Sequence, residues 1–238
     1  MAGRAQTVAM RRFSIIIPVA PGEDQWQTLL DDIAGLPGPL EVILVSSAGD
    51  GLDESIGLIH GKRIRSLQAT PGRGPQMNAG AWSSSGDYLW FLHADSRLTP
   101  GSMEALQQAI DREPGELFYF DLAFRDGSPW LMSLSSLGAN LRSRWLKVPF
   151  GDQGFCIARE RFHSIGGFPE DLPHGEDHVF VWRARQEGID VRPVGEVIHT
   201  SARKYVRHGW LRTTLNHQSI WLRQAWPEWK RLRRRRAG

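Results

Sequence analysis

The sequence predicts an α/β fold, a mostly parallel sheet flanked by helices, followed by a helical basic C-terminal tail. Three observations lead there. Short runs nearly continuous in apolar residues recur along the first half of the chain, they alternate with segments whose apolar residues fall at helical spacing, and polar groups gather just past the ends of the runs. Strands apolar on both faces belong to parallel sheets covered by helices on either side. The crevice beyond the carboxyl ends of such strands is where these sheets bind ligands.

Residues 1–12 read as a flexible N-terminus. Phe13-Ser-Ile-Ile-Ile-Pro-Val19 is rich in β-branched residues and forms the first strand. Trp26, Leu29, Leu30 and Ile33 repeat at helical spacing, Leu36-Pro-Gly-Pro39 breaks the helix, and Glu41-Val-Ile-Leu-Val45 is the second strand. A third short strand falls at Arg63–Leu67, a helix at Gly74–Ser85, another buried strand at Asp87–Leu92 and a short helix at Met103–Ile110. Beyond residue 115 the pattern is less regular, with a strand at Leu117–Phe124, a loop-rich stretch over 125–150, a Gly-rich segment at Gly151–Phe155 and a helix through Val179, Phe180 and Trp182. The expected organisation is one domain over 13–205 and a helical, Trp-rich basic tail over 206–238.

Composition narrows the function. With 41% hydrophobic and 23% charged residues in 238, the chain has the make-up of an ordinary globular protein. Its one cysteine, Cys156, excludes an internal disulfide framework and a Cys-cluster zinc site, and suits a reducing cytosol. No run reaches the roughly 20 apolar residues of a membrane span, and no secretory signal is recognisable. The expected location is cytoplasmic, peripheral on the inner face of the membrane. The net charge of +3 hides an asymmetry: residues 1–200 carry −7 and residues 201–238 carry +10. An acidic body suits metal ions and a basic tail suits phosphate.

Four segments carry candidate chemistry. In Leu92-His-Ala-Asp-Ser96, Asp95 ends a buried strand, where it either binds a hard cation such as Mg²⁺ or Mn²⁺ or caps the next turn. In Pro149-Phe-Gly-Asp-Gln-Gly-Phe155, glycines flank Asp152 and Gln153, giving either close backbone approach to a bound sugar or phosphate, or a plain β-turn. Pro173-His-Gly-Glu-Asp-His178 opens a helix; its acids complement the helix dipole, and one of them is placed to accept a proton. Thr70-Pro-Gly-Arg-Gly-Pro-Gln-Met-Asn-Ala-Gly80 is a Gly-rich loop whose N–H groups and Arg73 suit a diphosphate, without the spacing of a P-loop or dinucleotide fingerprint.

Taken in order, these motifs resemble the family 2 glycosyltransferases of the GT-A fold, a Rossmann-like sheet. Phe91-Leu-His-Ala-Asp-Ser-Arg97, Gly138-Ala-Asn-Leu-Arg-Ser-Arg144, Gly151-Asp-Gln-Gly154 and Thr200-Ser-Ala-Arg203 are similar to a short, soluble bacterial subfamily. The resemblance covers about residues 13–215. It implies a nucleotide-diphosphate sugar as donor, a hydroxyl acceptor (glycan, lipid or small molecule), a divalent metal (Mg²⁺ or Mn²⁺) held by Asp95, and inversion at the anomeric carbon. It assigns Asp177 as general base, with Glu176 orienting it or meeting acceptor. Gly151, Asp152 and Gln153 would form the loop near donor sugar and acceptor. Arg73, Asn78 and His93 would line the nucleotide side, and Arg203 and Lys204 would reach the diphosphate. Two departures fall on nucleotide recognition. The run after the first strand is Ala20-Pro-Gly-Glu23, which places Glu23 one residue from the family's acid, and Ser46 stands where the family has an aspartate.

In the tail, Leu211, Leu215, Leu222, Ala225 and Trp229 fall on one helical stripe beside Lys230-Arg-Leu-Arg-Arg-Arg-Arg236. That composition fits either an anionic membrane surface or a stripe packed on the domain; nucleic acid ranks last, since the body is acidic and no recognition motif occurs. Two other functions compete: a nucleotidyltransferase of similar sheet topology, which requires a longer Gly-rich signature with a lysine after the first strand, and a membrane-associated binding protein derived from a transferase.

Overall fold

A computed structural model describes residues 11–47, 55–59, 61–172 and 174–237. Asp50, Pro173 and the first ten residues lie outside the described residues, as do the side chains of Lys204 and Leu215. Along the chain the elements are β1 (Phe13–Pro18), α1 (Trp26–Ala34), β2 (Leu40–Ser47), β3 (Ser55–Ile59), β4 (Lys62–Ala69), α2 (Arg73–Trp82), β5 (Tyr88–Phe91) and α3 (Ser102–Arg112). Then follow β6 (Leu117–Phe124), α4 (Pro129–Leu146), a 3-10 turn at Gly151–Gln153, β7 (Phe155–Ala158), α5 (Arg159–Ile165), α6 (Glu176–Gln186), β8 (Val191–Thr200), α7 (Arg203–His208) and α8 (Trp210–Ala237).

The strands form one sheet in the order β3-β4-β2-β1-β5-β7-β6-β8. β1 pairs in parallel with β2 and β5, β2 with β4, and β6 with β8; β3 and β7 are the antiparallel members. β1 and β2 are buried along their whole length, so neither has a polar face, as their apolar runs require. One layer of core lies under α1 and α3, where Trp90 stacks on Phe120 with ring centroids 5.4 Å apart. The other lies under α2, α5 and α6, around Phe91, Phe162, Phe168 and Phe180. The buried Glu41 lies at the start of β2. It accepts from Ser14 Oγ (2.8 Å), Ser85 N (2.9 Å) and Arg65 Nη1 (3.2 Å), which ties β1, β2 and β4 to the turn before β5.

One expectation is revised. Most of the stretch 125–150 is α4, an 18-residue helix with Pro129 at its first turn. Its apolar residues lie on both the inner and the outer face, which blurs the helical period. The tail is helical, and its expected stripe divides, with Ala225 packed on the core and other members exposed. Trp221, Ala225 and Leu232 pack on the core and Glu228 is buried, whereas Leu211, Leu222 and Trp229 face outward. Glu228 accepts from Gln186 Nε2 at 2.8 Å, so α8 registers against α6. Among the described residues no helix is long and apolar enough to cross a membrane.

Candidate active site

The strand ends, the start of α2 and the start of α6 converge. Asp177, in the first turn of α6, is buried, and its Oδ2 accepts from the Gly151 N–H at 2.6 Å. Its Oδ1 accepts from the His178 N–H at 2.8 Å. A Cβ at position 151 would lie 3.0 Å from Asp177 Oδ2 and 3.1 Å from His93 Nε2, which explains the glycine and places the three groups together. Glu176 is buried beside Asp177 and ion-paired to Arg73 Nε; Arg73 Nη1 lies 3.4 Å from His93 Nε2. Burial alone would depress the Arg73 guanidinium, yet the carboxylates of Asp177, Glu176 and Asp152 raise it above its ordinary value. Burial pushes the Asp177 carboxyl up, but Arg73, the two N–H donors and His93 hold it below the usual aspartate range. Asp177 is therefore ionised at neutral pH.

Next to this cluster lies a cleft of about 300 Å³ lined by Pro18, Ala20, Pro21, Ser47, Gly72, Arg73, Gln76 and His93. Two residues beyond Pro21 of this lining, Glu23 is ion-paired: Arg203 Nη2 donates to Glu23 Oε2 at 2.6 Å, and Glu23 Oε1 accepts from the Gln25 N–H at 3.0 Å. Burial raises the Glu23 carboxyl, but the Gln25 N–H and Arg203 bring it below its ordinary value. Asp95 is half-buried at the end of the segment after β5 and contributes to the field that raises Arg203, after Glu23. Arg125 Nη2 donates to the Asp95 carbonyl at 3.1 Å.

The candidates thus separate into groups. Arg73, His93, Gly151, Asp152, Glu176 and Asp177 come together, and Glu23 pairs with Arg203, on whose charge Asp95 also acts. Asn78 points elsewhere: its Nδ2 donates to the Phe168 carbonyl (2.9 Å) and to Glu170 (2.7 Å), and its Oδ1 accepts from the Phe168 N–H (2.9 Å). Gln153 is fully buried, accepting from Ser143 Oγ (2.6 Å) and donating to the Phe120 carbonyl (3.0 Å), so it holds the 151–154 loop from below. The Ser46 hydroxyl is buried with no hydrogen-bond partner among the described residues, and its neighbour Ser47 is the one that lines the cleft.

Arg142 of α4 had not been singled out for a role, although it lies within the Gly138–Arg144 motif. Its guanidinium lies 3.6 Å from the Phe150 ring centroid, Nε donates to the Val148 carbonyl, and Nη2 is buried without a partner. Burial depresses its pKa against the pull of Asp152 and Asp177. Tyr205 of α7 is pushed up to about 12 by burial and by Asp152. Among the described residues no three His, Cys, Asp or Glu side chains are grouped to hold a metal. A single carboxylate, Asp95, still fits an ion that takes its other ligands from phosphate and water.

A family model described as "Glycosyl transferase family 2" matches residues 14–168. A search of curated protein sequences gives no match. Solved structures do match. S. aureus TarS 1-349 is 17% identical with a TM-score of 0.58, over 80% of this chain and 60% of that one. The same protein in complex with UDP-GlcNAc aligns at 17% identity and TM-score 0.57, covering 80% of this chain and 58% of that one. The mannosyltransferase PcManGT from Pyrobaculum calidifontis, in complex with GDP-Man and Mn2+, aligns at 19% identity and TM-score 0.55, over 81% of this chain and 57% of that one. This chain therefore spans about 60% of the length of these structures, and the likeness is one of fold.

Proposed function

Because the chain belongs to glycosyl transferase family 2, we propose that it transfers a sugar from a nucleotide-diphosphate donor to an acceptor hydroxyl, with inversion at the anomeric carbon. The observation that carries this reading is the buried, ionised Asp177 held by the Gly151 N–H beside a cleft of nucleotide size. Asp177 takes the proton of the attacking hydroxyl. Its depressed pKa makes it a weak base toward a resting alcohol, but a sufficient one once the oxygen gains positive character as the new C–O bond forms. Each of its oxygens keeps a lone pair beyond the N–H it already accepts. Glu176, neutralised by Arg73, orients the first turn of α6 and faces the acceptor.

On the donor side, the start of α2 with Arg73 and His93 meets the diphosphate, while Glu23 and, in place of the buried Ser46, Ser47 belong to the nucleotide side and Asn78 positions α2. Arg203 exchanges Glu23 for the diphosphate, with Lys204 following it. Asp95 would hold Mg²⁺ or Mn²⁺, which neutralises the leaving diphosphate when bound. Asp152 and the Gly151 backbone approach the sugar and acceptor, with Gln153 fixing their loop. The reading also includes a cytoplasmic location at an anionic membrane touched by residues 206–238. For the nucleotide-sugar donor and the metal, though not for the location, TarS in complex with UDP-GlcNAc and PcManGT in complex with GDP-Man and Mn2+ lend support by analogy.

The test is a thermal-shift panel of UDP, GDP, CDP, ADP and dTDP, each with and without Mn²⁺. Ligand at a hundred times its dissociation constant adds about 2.7 kcal/mol. A metal-dependent shift with one base, lost in Asp95→Ala, is the expected result. No shift with any nucleotide overturns the reading in favour of a binding protein that has lost its donor, to which the buried Ser46 in place of an acid already points.

A further inference from the structure

An apolar row runs the length of the outer face of α4, beside the exposed Ser133, Gly138 and Arg144. Trp130, Leu134, Leu137, Leu141 and Trp145 recur at intervals of three and four, one stripe of a helix, and all five are exposed; Trp130 is 68% exposed, Leu137 55% and Trp145 82%. The stripe runs about 22 Å. Large apolar residues scattered singly need no explanation, but a contiguous row of this length on one helix marks an interaction surface.

The chemistry around the row selects its partner. A tryptophan stands at each end with leucines between, an arrangement suited to a helix lying in a bilayer interface with its indoles at headgroup level. The adjoining segment is basic. Trp210 Nε1 donates to Ser135 Oγ of α4 at 2.8 Å, so the start of α8 abuts this helix, and Arg207 and Arg212 on either side of Trp210 are exposed. Residues from 201 onward carry +10. A second copy of this chain would bring like charges together around the same row, whereas anionic headgroups complement them. The inner face of the helix is committed to the site: Ser143 holds Gln153 and Arg142 stacks on Phe150.

We propose that α4 is the membrane-docking element of this protein, lying flat in an anionic lipid surface through its Trp130–Trp145 row. The loop at 151–154 then lies one helix diameter, about 10–12 Å, from that surface. This contact is separate from the one offered by 230–238 and does not depend on sugar transfer.

The experiment is co-sedimentation of the full chain with phosphatidylcholine vesicles and with vesicles containing phosphatidylglycerol, without nucleotide. Wild type partitions onto the anionic vesicles, and the triple variant Trp130→Gln, Leu137→Gln, Trp145→Gln loses at least about tenfold of that partitioning. As the three positions are exposed, its thermal unfolding stays at the wild-type midpoint. A second probe does not need that variant: Leu137→Cys carrying an environment-sensitive dye shifts to the blue on anionic vesicles, with Cys156 buried and unlabelled. The proposal is overturned if wild type ignores anionic vesicles or the dye does not move. It is also overturned if deleting 230–238 removes all binding while the triple variant keeps it, or if wild type is a dimer that the triple variant converts to monomer.

Discussion

The Asp177 carboxylate is assembled by residues remote in sequence: Gly151 donates to it, Arg73 supplies the nearest positive charge and His93 closes the far side. Asp177→Asn keeps the shape but cannot take a proton, so turnover falls about 10²–10⁴-fold while nucleotide binding persists; kcat and a thermal shift measured on one preparation check both. Gly151→Ala pushes a methyl against Asp177 and His93 and lowers kcat with little change in donor binding. The pH dependence follows from the depressed carboxyl. Its contribution to stability is complete above the unfolded aspartate value of about 3.9 and is lost as pH falls through the lower folded value. The acid limb of kcat/KM therefore lies below the ordinary aspartate range, as a pH–rate profile reads directly. Most of this cluster was legible, since each of its members ends a strand or opens a helix. The choice between Ser46 and Ser47 was not, because a strand buried on both faces carries no alternation to say which side a serine takes. Asn78 and Gln153 lie in motifs beside the cleft, yet their amides fill backbone hydrogen bonds that only the folded chain reveals.

α8 packs behind the base it does not touch. Gln224 Nε2 donates to the His174 carbonyl at 2.8 Å, and its Oε1 lies 3.3 Å from His178 Nδ1, whose other ring nitrogen accepts from Trp182 Nε1 at 2.9 Å. Gly175, with φ of +82°, precedes Glu176, and a Cβ there would meet Gln224 at 2.1 Å. Gly175→Ala costs about 1–2 kcal/mol in backbone strain alone; adding Gln224→Ala relieves the collision but not the strain, which urea unfolding of both variants separates. Leu232→Ala removes a buried contact and costs about 2–5 kcal/mol in the same measurement. The elements that sequence patterning missed share physical causes. β8 contains Pro193 and Gly195, which an edge strand tolerates and an interior one does not. β7 is four residues long, too short for a period to show.

At the end of the sheet away from the cleft, Glu41 binds three strands and a turn into one network; burial raises its carboxyl, but the Ser85, Ser14 and Arg65 donors bring it below the usual glutamate range. Glu41→Ala strands those donors and costs about 3 kcal/mol by chemical denaturation. That contribution, too, is present above the unfolded value of about 4.3 and is lost as pH falls through the folded one. The Arg203–Glu23 pair joins the two ends of the domain, and Arg203→Ala raises the donor KM more than it lowers kcat if the guanidinium transfers to the diphosphate. The pairing of β6 with β8, Leu117 to Val191 through Phe124 to Thr200, has a consequence in time. Between those strands the chain makes α4, the Gly151 turn, β7, α5 and α6, so closing that excursion of about 75 residues carries the entropy of a long loop. The pairings of β1 with β2 and of β2 with β4 span far shorter stretches. During refolding the β4-β2-β1 part of the sheet forms first, and Asp177, which lies within the long excursion, is fixed only when β8 docks.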